Sequence, residues 1–255
     1  MIQNRKQRRL GRRVLLILFA LCLSAIACAQ GGPPLITDDP GTPGDKHWEI
    51  NVAFTDTNYP YGTVVEIPHL DLNYGYGKNL QLKLEGPLTV FDGQGRNYAT
   101  LGYTNWGVKW RYQEETKTKP ALSIYPQILF VGNQDLSRLG VLDPGTDLYL
   151  PAEALKTFGG LILDVEAGVL FRQFAQTQLT GGVCAEYDLR KNLALLGEVH
   201  NIVSTGLVSD ELVWNLGFKF DFSEHESLLA SAGRGFSTGP DEPSFETYLG
   251  IQFRT

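Results

Sequence analysis

From residue 47 onward, apolar residues recur at every second position in one stretch after another, and that period is what most limits how the chain can fold. In Leu212–Phe222 one face reads Leu212, Trp214, Leu216, Phe218, Phe220 and Phe222, and the other Val213, Asn215, Gly217, Lys219 and Asp221. A helical period of 3.6 cannot produce this; a strand with one greasy and one wet face does. The same alternation sets Trp48, Ile50, Val52 and Phe54 against Glu49, Asn51, Ala53 and Thr55. It sets Trp106, Val108, Trp110 and Tyr112 against Asn105, Gly107, Lys109 and Arg111.

Twelve such segments are predicted, over 47–57, 64–75, 79–91, 104–114, 121–131, 147–157, 161–171, 178–188, 192–202, 211–221, 227–236 and 245–254. Most are near the length that a tilted strand needs to cross the apolar core of a bilayer, and longer than the usual strand of a soluble protein. The connectors after the even-numbered segments are short, whereas those over 92–103 and 132–146 are long. Short turns at one end and longer loops at the other, with an even strand number, describe an outer-membrane barrel.

The placement of tryptophan points the same way. Trp48, Trp106, Trp110 and Trp214 all fall on apolar faces, as an aromatic membrane girdle requires, while the opposite faces carry acids, bases, Asn and Gly. A secreted soluble β-protein with one-sided sheets is the alternative; it leaves the strand lengths, loop parity and Trp placement unconnected. The expected fold is therefore all-β, a transmembrane antiparallel up-and-down barrel of about 12 strands over 47–255.

Residues 1–29 read as a cleavable signal peptide: six bases and no acid, then the apolar run Val14–Ala27, then Ala27-Cys28-Ala29. A lipoprotein signal with Cys28 acylated is the rival, but Ala25 stands where a lipobox prefers Leu. Cleavage after residue 29 of the 255 leaves 226 residues with 16 bases against 28 acids, a net charge of −12. Such a chain is not built to bind nucleic acid through phosphates. Only Cys184 remains after cleavage, so no internal disulfide forms, and a lone strand Cys reads as a packing residue. The four His are scattered without metal-ligand spacing, and neither a metal nor another cofactor is implied.

The stretches "PPLITDDPGTPGDKHWEINVAFT", "HLDLNYGYGKNLQLKLEGPL" and "DLYLPAEALKTFGG" resemble the bacterial outer-membrane barrels grouped as the MetA-pathway of phenol degradation family, described as transporters. The resemblance implies an outer-membrane barrel that admits small organic compounds, aromatic ones among them. It also implies outer-membrane lipid and the barrel-assembly machinery as partners. In a common outer-membrane pattern a terminal aromatic residue serves that machinery; here Phe253 is followed by Arg254 and Thr255.

The inward faces suggest what the barrel handles. Lys83, Lys109 and Arg111 are expected on one side of the lumen, with Asp164, Glu166, Glu186, Asp188 and Glu198 facing them, although Glu85 and Arg172 blur the separation. Such a transverse field would orient a polar or zwitterionic solute. The expected function is a channel or passive transporter for small polar or organic solutes. The alternatives are a non-conducting structural or adhesive barrel closed by its own ion pairs, and a hydrolase using His200, Asn201 and Ser204. The loop 132–146, with Asp135, Arg138 and Asp143, is a candidate constriction or an ordinary outer loop.

The lead-in 30–46 contains "TDDPGTPGD". Adjacent Asp38 and Asp39 with stiffening Pro40 and Pro43 do not make a calcium loop. The expectation is a periplasmic N-terminal lead-in whose Asp38 and Asp39 fold inward to pair with Arg111 or Lys109, acting as an inner plug.

Overall fold

The computed structural model describes residues 32–93, 95–131, 145–205, 208–237 and 242–255. Among these residues fourteen strands follow in chain order: β1 (Trp48–Tyr59), β2 (Gly62–Tyr76), β3 (Leu80–Gly93), β4 (Arg96–Leu101), β5 (Tyr103–Gln113), β6 (Ala121–Ile124), β7 (Gln127–Val131), β8 (Thr146–Phe158), β9 (Leu161–Phe171), β10 (Gln178–Arg190), β11 (Leu193–Ser204), β12 (Val208–Asp221), β13 (Glu226–Gly235) and β14 (Phe245–Arg254). They form twelve wall strands, because two are interrupted. β4 and β5 continue one another across Gly102 and pair with the two ends of β3. β6 and β7 continue one another across Tyr125-Pro126 and lie between β5 and β8. All pairings are antiparallel, and β1 pairs with β14 from Glu49↔Arg254 to Asn58↔Phe245. The sheet thus closes on itself, which leaves no edge of unpaired backbone to face lipid.

The interruptions do not open the wall. Gly102 N–H donates to Pro87 O at 3.0 Å, and Tyr125 N–H donates to Pro151 O at 3.0 Å. Prolines at 87 and 151 on the neighbouring strands cannot donate, so the ladder shifts there to bond their carbonyls. Gly102 is required because a Cβ would stand 2.0 Å from Thr89 Oγ1. The long connector expected over 92–103 is corrected: the strands run on as a hairpin, with Leu88↔Leu101 through Gly93↔Arg96 paired. The other long connector falls on 132–144, outside the described residues, with Asp135, Arg138 and Asp143 in it.

Burial is inverted relative to a soluble protein. Leu216 is 63% and Trp106 59% exposed, whereas Asp164 is 0%, Lys109 2% and Glu198 4% exposed. Among the described residues the buried apolar side chains form small clusters, Leu35 with Cys184 and Leu196, and Ala121 with Leu155 and Ile162. A strand of 13 residues such as β8 extends ~43 Å and rises ~30 Å when tilted by about 45°. An apolar exterior of that height around a polar interior is a transmembrane β-barrel.

Candidate functional site

The lumen is occupied by the chain's own lead-in, and the anchoring begins at the short-turn end. Lys46 N–H donates to Gly75 O at 2.9 Å, and Gly75 N–H donates to His47 O at 2.9 Å. Gly75 lets this happen, because a Cβ there would lie 1.7 Å from Gly44 O. Nearby, Gly77 N–H donates to Asp45 Oδ1 at 2.8 Å and Thr42 Oγ1 to Lys78 O at 2.9 Å. The segment therefore enters the barrel at the end where β1 starts.

Farther in, its backbone is held by the acids of the wall. Ile36 N–H donates to both carboxylate oxygens of Glu198, at 2.9 and 3.1 Å, and Thr37 N–H to Glu198 Oε2 at 2.8 Å. Asn215 Nδ2 donates to the same carboxylate at 2.9 Å and fixes its orientation. Asp38 N–H donates to Glu166 Oε2 at 3.3 Å, and Ser231 Oγ to Pro34 O at 2.5 Å. Thr37 fits because β10 carries Gly182 opposite it, where a Cβ would stand 2.2 Å from Thr37 Oγ1. Leu35 rests on Cys184 and Leu196. Wall residues on β9 to β11 and β13 thus form a seat shaped for residues 34–38.

Lys109 completes the seat from β5. Its Nζ donates to Asp38 Oδ1 at 2.8 Å and to the Asp39 carbonyl, lies 3.6 Å from Glu153 Oε2, and stands 4.6 Å from the centre of the Tyr125 ring. Asp38 belongs to no membrane-spanning strand. Burial disfavours its charge, but Lys109 and Lys83 outweigh burial and hold its carboxyl below the usual carboxylate range.

The other sequence-predicted residues are distributed as follows. Lys83 faces the lumen from β3, 2.8 Å from Glu85 and 3.6 Å from Asp71. Asp164, Glu166 and Glu186 are buried on the lumen side of β9 and β10, and Asp39 is buried in the lead-in. Arg111 differs from the expected partner of the lead-in aspartates: it reaches the short-turn rim, where its Nη2 donates to Lys78 O at 2.8 Å. Asp188 shares the inward face with its β11 partner Ala194 but stands exposed at that rim, where the β10–β11 register shifts, rather than buried with Asp164, Glu166 and Glu186. Trp48 and Trp110 lie at the short-turn end, Trp48 against Tyr74 with ring centres 4.8 Å apart. Trp106 and Trp214 sit farther along their strands, paired with Leu84 and Val199.

The sequence pattern did not single out Asp71, Glu153, His69 or Tyr125 as lumen residues, yet all lie within it. Their parity places Asp71 and Glu153 inward on their strands, but Tyr125 occupies a strand break and carries no periodic signal. His69 bridges Glu66 and Glu85 at 2.8 Å each, so the β2–β3 surface is a self-paired charge network. His200 lies opposite Gly182 and Ser204 opposite Gln178. Four residues of strand separate His200 from Ser204 by ~13 Å, too far for a Ser–His hydrogen bond. Among the described residues no group of His, Cys, Asp and Glu is arranged to hold a metal ion.

Two cavities flank the lead-in. One, of about 110 Å³, lies toward the short-turn end and is lined by Asp71, Asn73, Gln81 and Lys109 among others. The second, of about 350 Å³, lies on the other side and combines apolar Leu129, Leu170 and Ile202 with His69, Lys83 and Glu85.

The fold has solved counterparts. The crystal structure of the COG4313 outer membrane channel from Pseudomonas putida F1 matches with a TM-score of 0.63 at 13% identity, over 89% of this chain and 100% of that one. The NanC porin matches with a TM-score of 0.61 at 7% identity, over 80% of this chain and 98% of that one. The translocator domain of the autotransporter NalP from Neisseria meningitidis matches with a TM-score of 0.54 at 14% identity, over 83% of this chain and 89% of that one. At these identities the likeness is one of fold, and the names already span more than one kind of barrel. No protein-family model and no curated protein matches the chain.

Proposed function

We propose that this protein is a bacterial outer-membrane channel through which small polar or organic solutes, aromatic ones among them, cross passively. The observation that carries the reading is the inside-out wall: a lumen of buried Lys, Asp and Glu side chains, with cavities of about 110 and 350 Å³ on either side of the lead-in. A lumen built only to be filled would be packed with side chains. In this reading Lys83, Lys109, Asp164, Glu166, Glu186 and Glu198 line the interior, with Arg111 at its rim. Trp48, Trp106, Trp110 and Trp214 meet the outer-membrane lipid, and the short-turn end faces the periplasm. Residues 1–29 direct export, and the barrel-assembly machinery inserts the strands. The channel structure and NanC porin support the reading through the shared fold, and the three stretches quoted above support membership of the MetA-pathway family.

The competing reading is a barrel closed by its own contacts, favoured by the density of bonds from Glu198 and Lys109 to the lead-in. Planar-bilayer recording separates the two. A channel gives stepwise current, swelling of solute-loaded vesicles, and an altered step on charge reversal at Lys109 or Glu198. A folded, inserted barrel that gives neither current nor swelling sinks the channel. Lipase or protease activity lost in His200→Ala would move the protein to the hydrolases.

A further inference from the structure

The two cavities share three lining residues, Pro33 and Asp38 of the lead-in and Lys83 of β3. They therefore approach each other at one place, between residues 33–38 of the lead-in and Lys83 on the β2–β3 wall. The bonds that seat residues 34–38 explain why the space lies there: Glu198, Glu166 and Ser231 draw the segment to β9, β11 and β13, and Gly182 lets it lie flush against β10. The larger cavity also reaches β7 to β11, but the two meet along β2 and β3, with His69 and Glu85 on one side of the narrow place and Asp71, Asn73 and Gln81 on the other.

Resting on the channel reading above, we infer that solutes pass between the lead-in and the β2–β3 wall, and that Lys83 opposite Asp38 forms the constriction that selects them. Two sides of this neck are stiff. Pro33 has a fixed φ, and Asp38 is clamped by Lys109 at 2.8 Å. The third side is a flexible stem ending in an ammonium, 2.8 Å from Glu85 and 3.6 Å from Asp71. Lys83 thus sets both the width and the local charge. Its ammonium among the carboxylates of Asp38, Asp71 and Glu85 places both signs of charge within one narrow passage. That arrangement suits a small dipolar or zwitterionic solute, which can answer both signs as it passes, and opposes a larger anion. The lead-in stays seated during passage and acts as one wall of the route.

Thiol accessibility tests this. In Lys83→Cys the introduced thiol should react with a water-soluble trimethylammonium methanethiosulfonate added from either side of the bilayer, and the current should fall severalfold. In Ala194→Cys, on the lumen side of β11 and lining neither cavity, reaction should be slower and the current unchanged. An adduct in Lys83→Cys that leaves the current intact, or an adduct in Ala194→Cys that blocks it, overturns the route. Lys83→Gln, which keeps a polar side chain and checks that folding is not the cause, should shift the reversal potential in a salt gradient toward cations; an unchanged potential overturns the selecting role. If the unaltered barrel passes no current at all, the channel reading fails. Labelling of Lys83→Cys from both sides still decides whether water reaches the neck from each mouth, and labelling from neither side overturns the route independently.

Discussion

On β9 and β11 the carboxylates of Glu166 and Glu198 accept backbone N–H groups of the lead-in, whereas on β2 and β3 Asp71 and Glu85 are answered by Lys83 and His69 of the same two strands. Both are acid-bearing walls of one lumen, yet the acids of one hold the backbone of residues 36–38 and those of the other are paired with bases of their own wall. A carboxylate with no base within its own wall takes up backbone donors, which are otherwise costly to bury. A carboxylate already paired has little to offer such a segment. The position of the lead-in thus follows from how each wall satisfies its own charges.

The largest test of this contrast is Glu198→Ala. It leaves the Ile36 and Thr37 N–H groups without their acceptor, at a cost of about 1–3 kcal/mol for each buried orphan. Limited proteolysis of the refolded barrel should then cut within residues 32–46, while Glu85→Ala on the opposite wall leaves the segment protected. Equal protection in both variants would show that the two walls do not differ in holding the segment. Gly182→Val should expel the segment without altering charge, since its Cβ would meet Thr37 Oγ1 at 2.2 Å. Protease sensitivity like that of Glu198→Ala would identify the seat itself as the cause, and resistance would point back to charge alone.

A smaller effect is expected from Asp38→Asn with Asp39→Asn. The pair to Lys109 is lost, but the bonds to Glu198 remain, so cutting should be slower than in Glu198→Ala and conductance modestly raised. The mildest perturbation is pH. Because the Asp38 carboxyl is held below its ordinary 3.8, its stabilisation is complete above that value and is lost only as pH falls through the lower folded one. Lead-in protection that depends on Asp38 should persist at pH 5 and weaken only below about pH 4; release of Asp38-dependent protection between pH 7 and 5 would contradict the assignment.

Period-two alternation made the wall legible because lipid outside and water inside impose opposite demands on successive residues of every strand. It could not reveal the breaks at Gly102 and Tyr125-Pro126, since these answer to prolines on adjacent strands. The hairpin at 92–101 was hidden for a related reason: its pairing continues beyond the membrane height that sets the alternation. Parity also reaches the inward residues, and the nearness of Asp38 to the start of β1 makes Lys109 a natural partner. Arg111 has the same parity, but it sits two residues nearer the rim, and its longer side chain finds the Lys78 carbonyl instead. Glu153 and Asp71 were within reach of the same reasoning. The seat for Thr37 was not, because Gly182 acquires meaning only when the lead-in lies across it.

The most direct measurement is single-channel current from the unaltered barrel and from Glu198→Ala, recorded side by side in planar bilayers. Discrete steps are expected from both, with larger steps in Glu198→Ala, where the lead-in has left its wall. Folded, inserted barrels that are silent in both forms would contradict the channel reading.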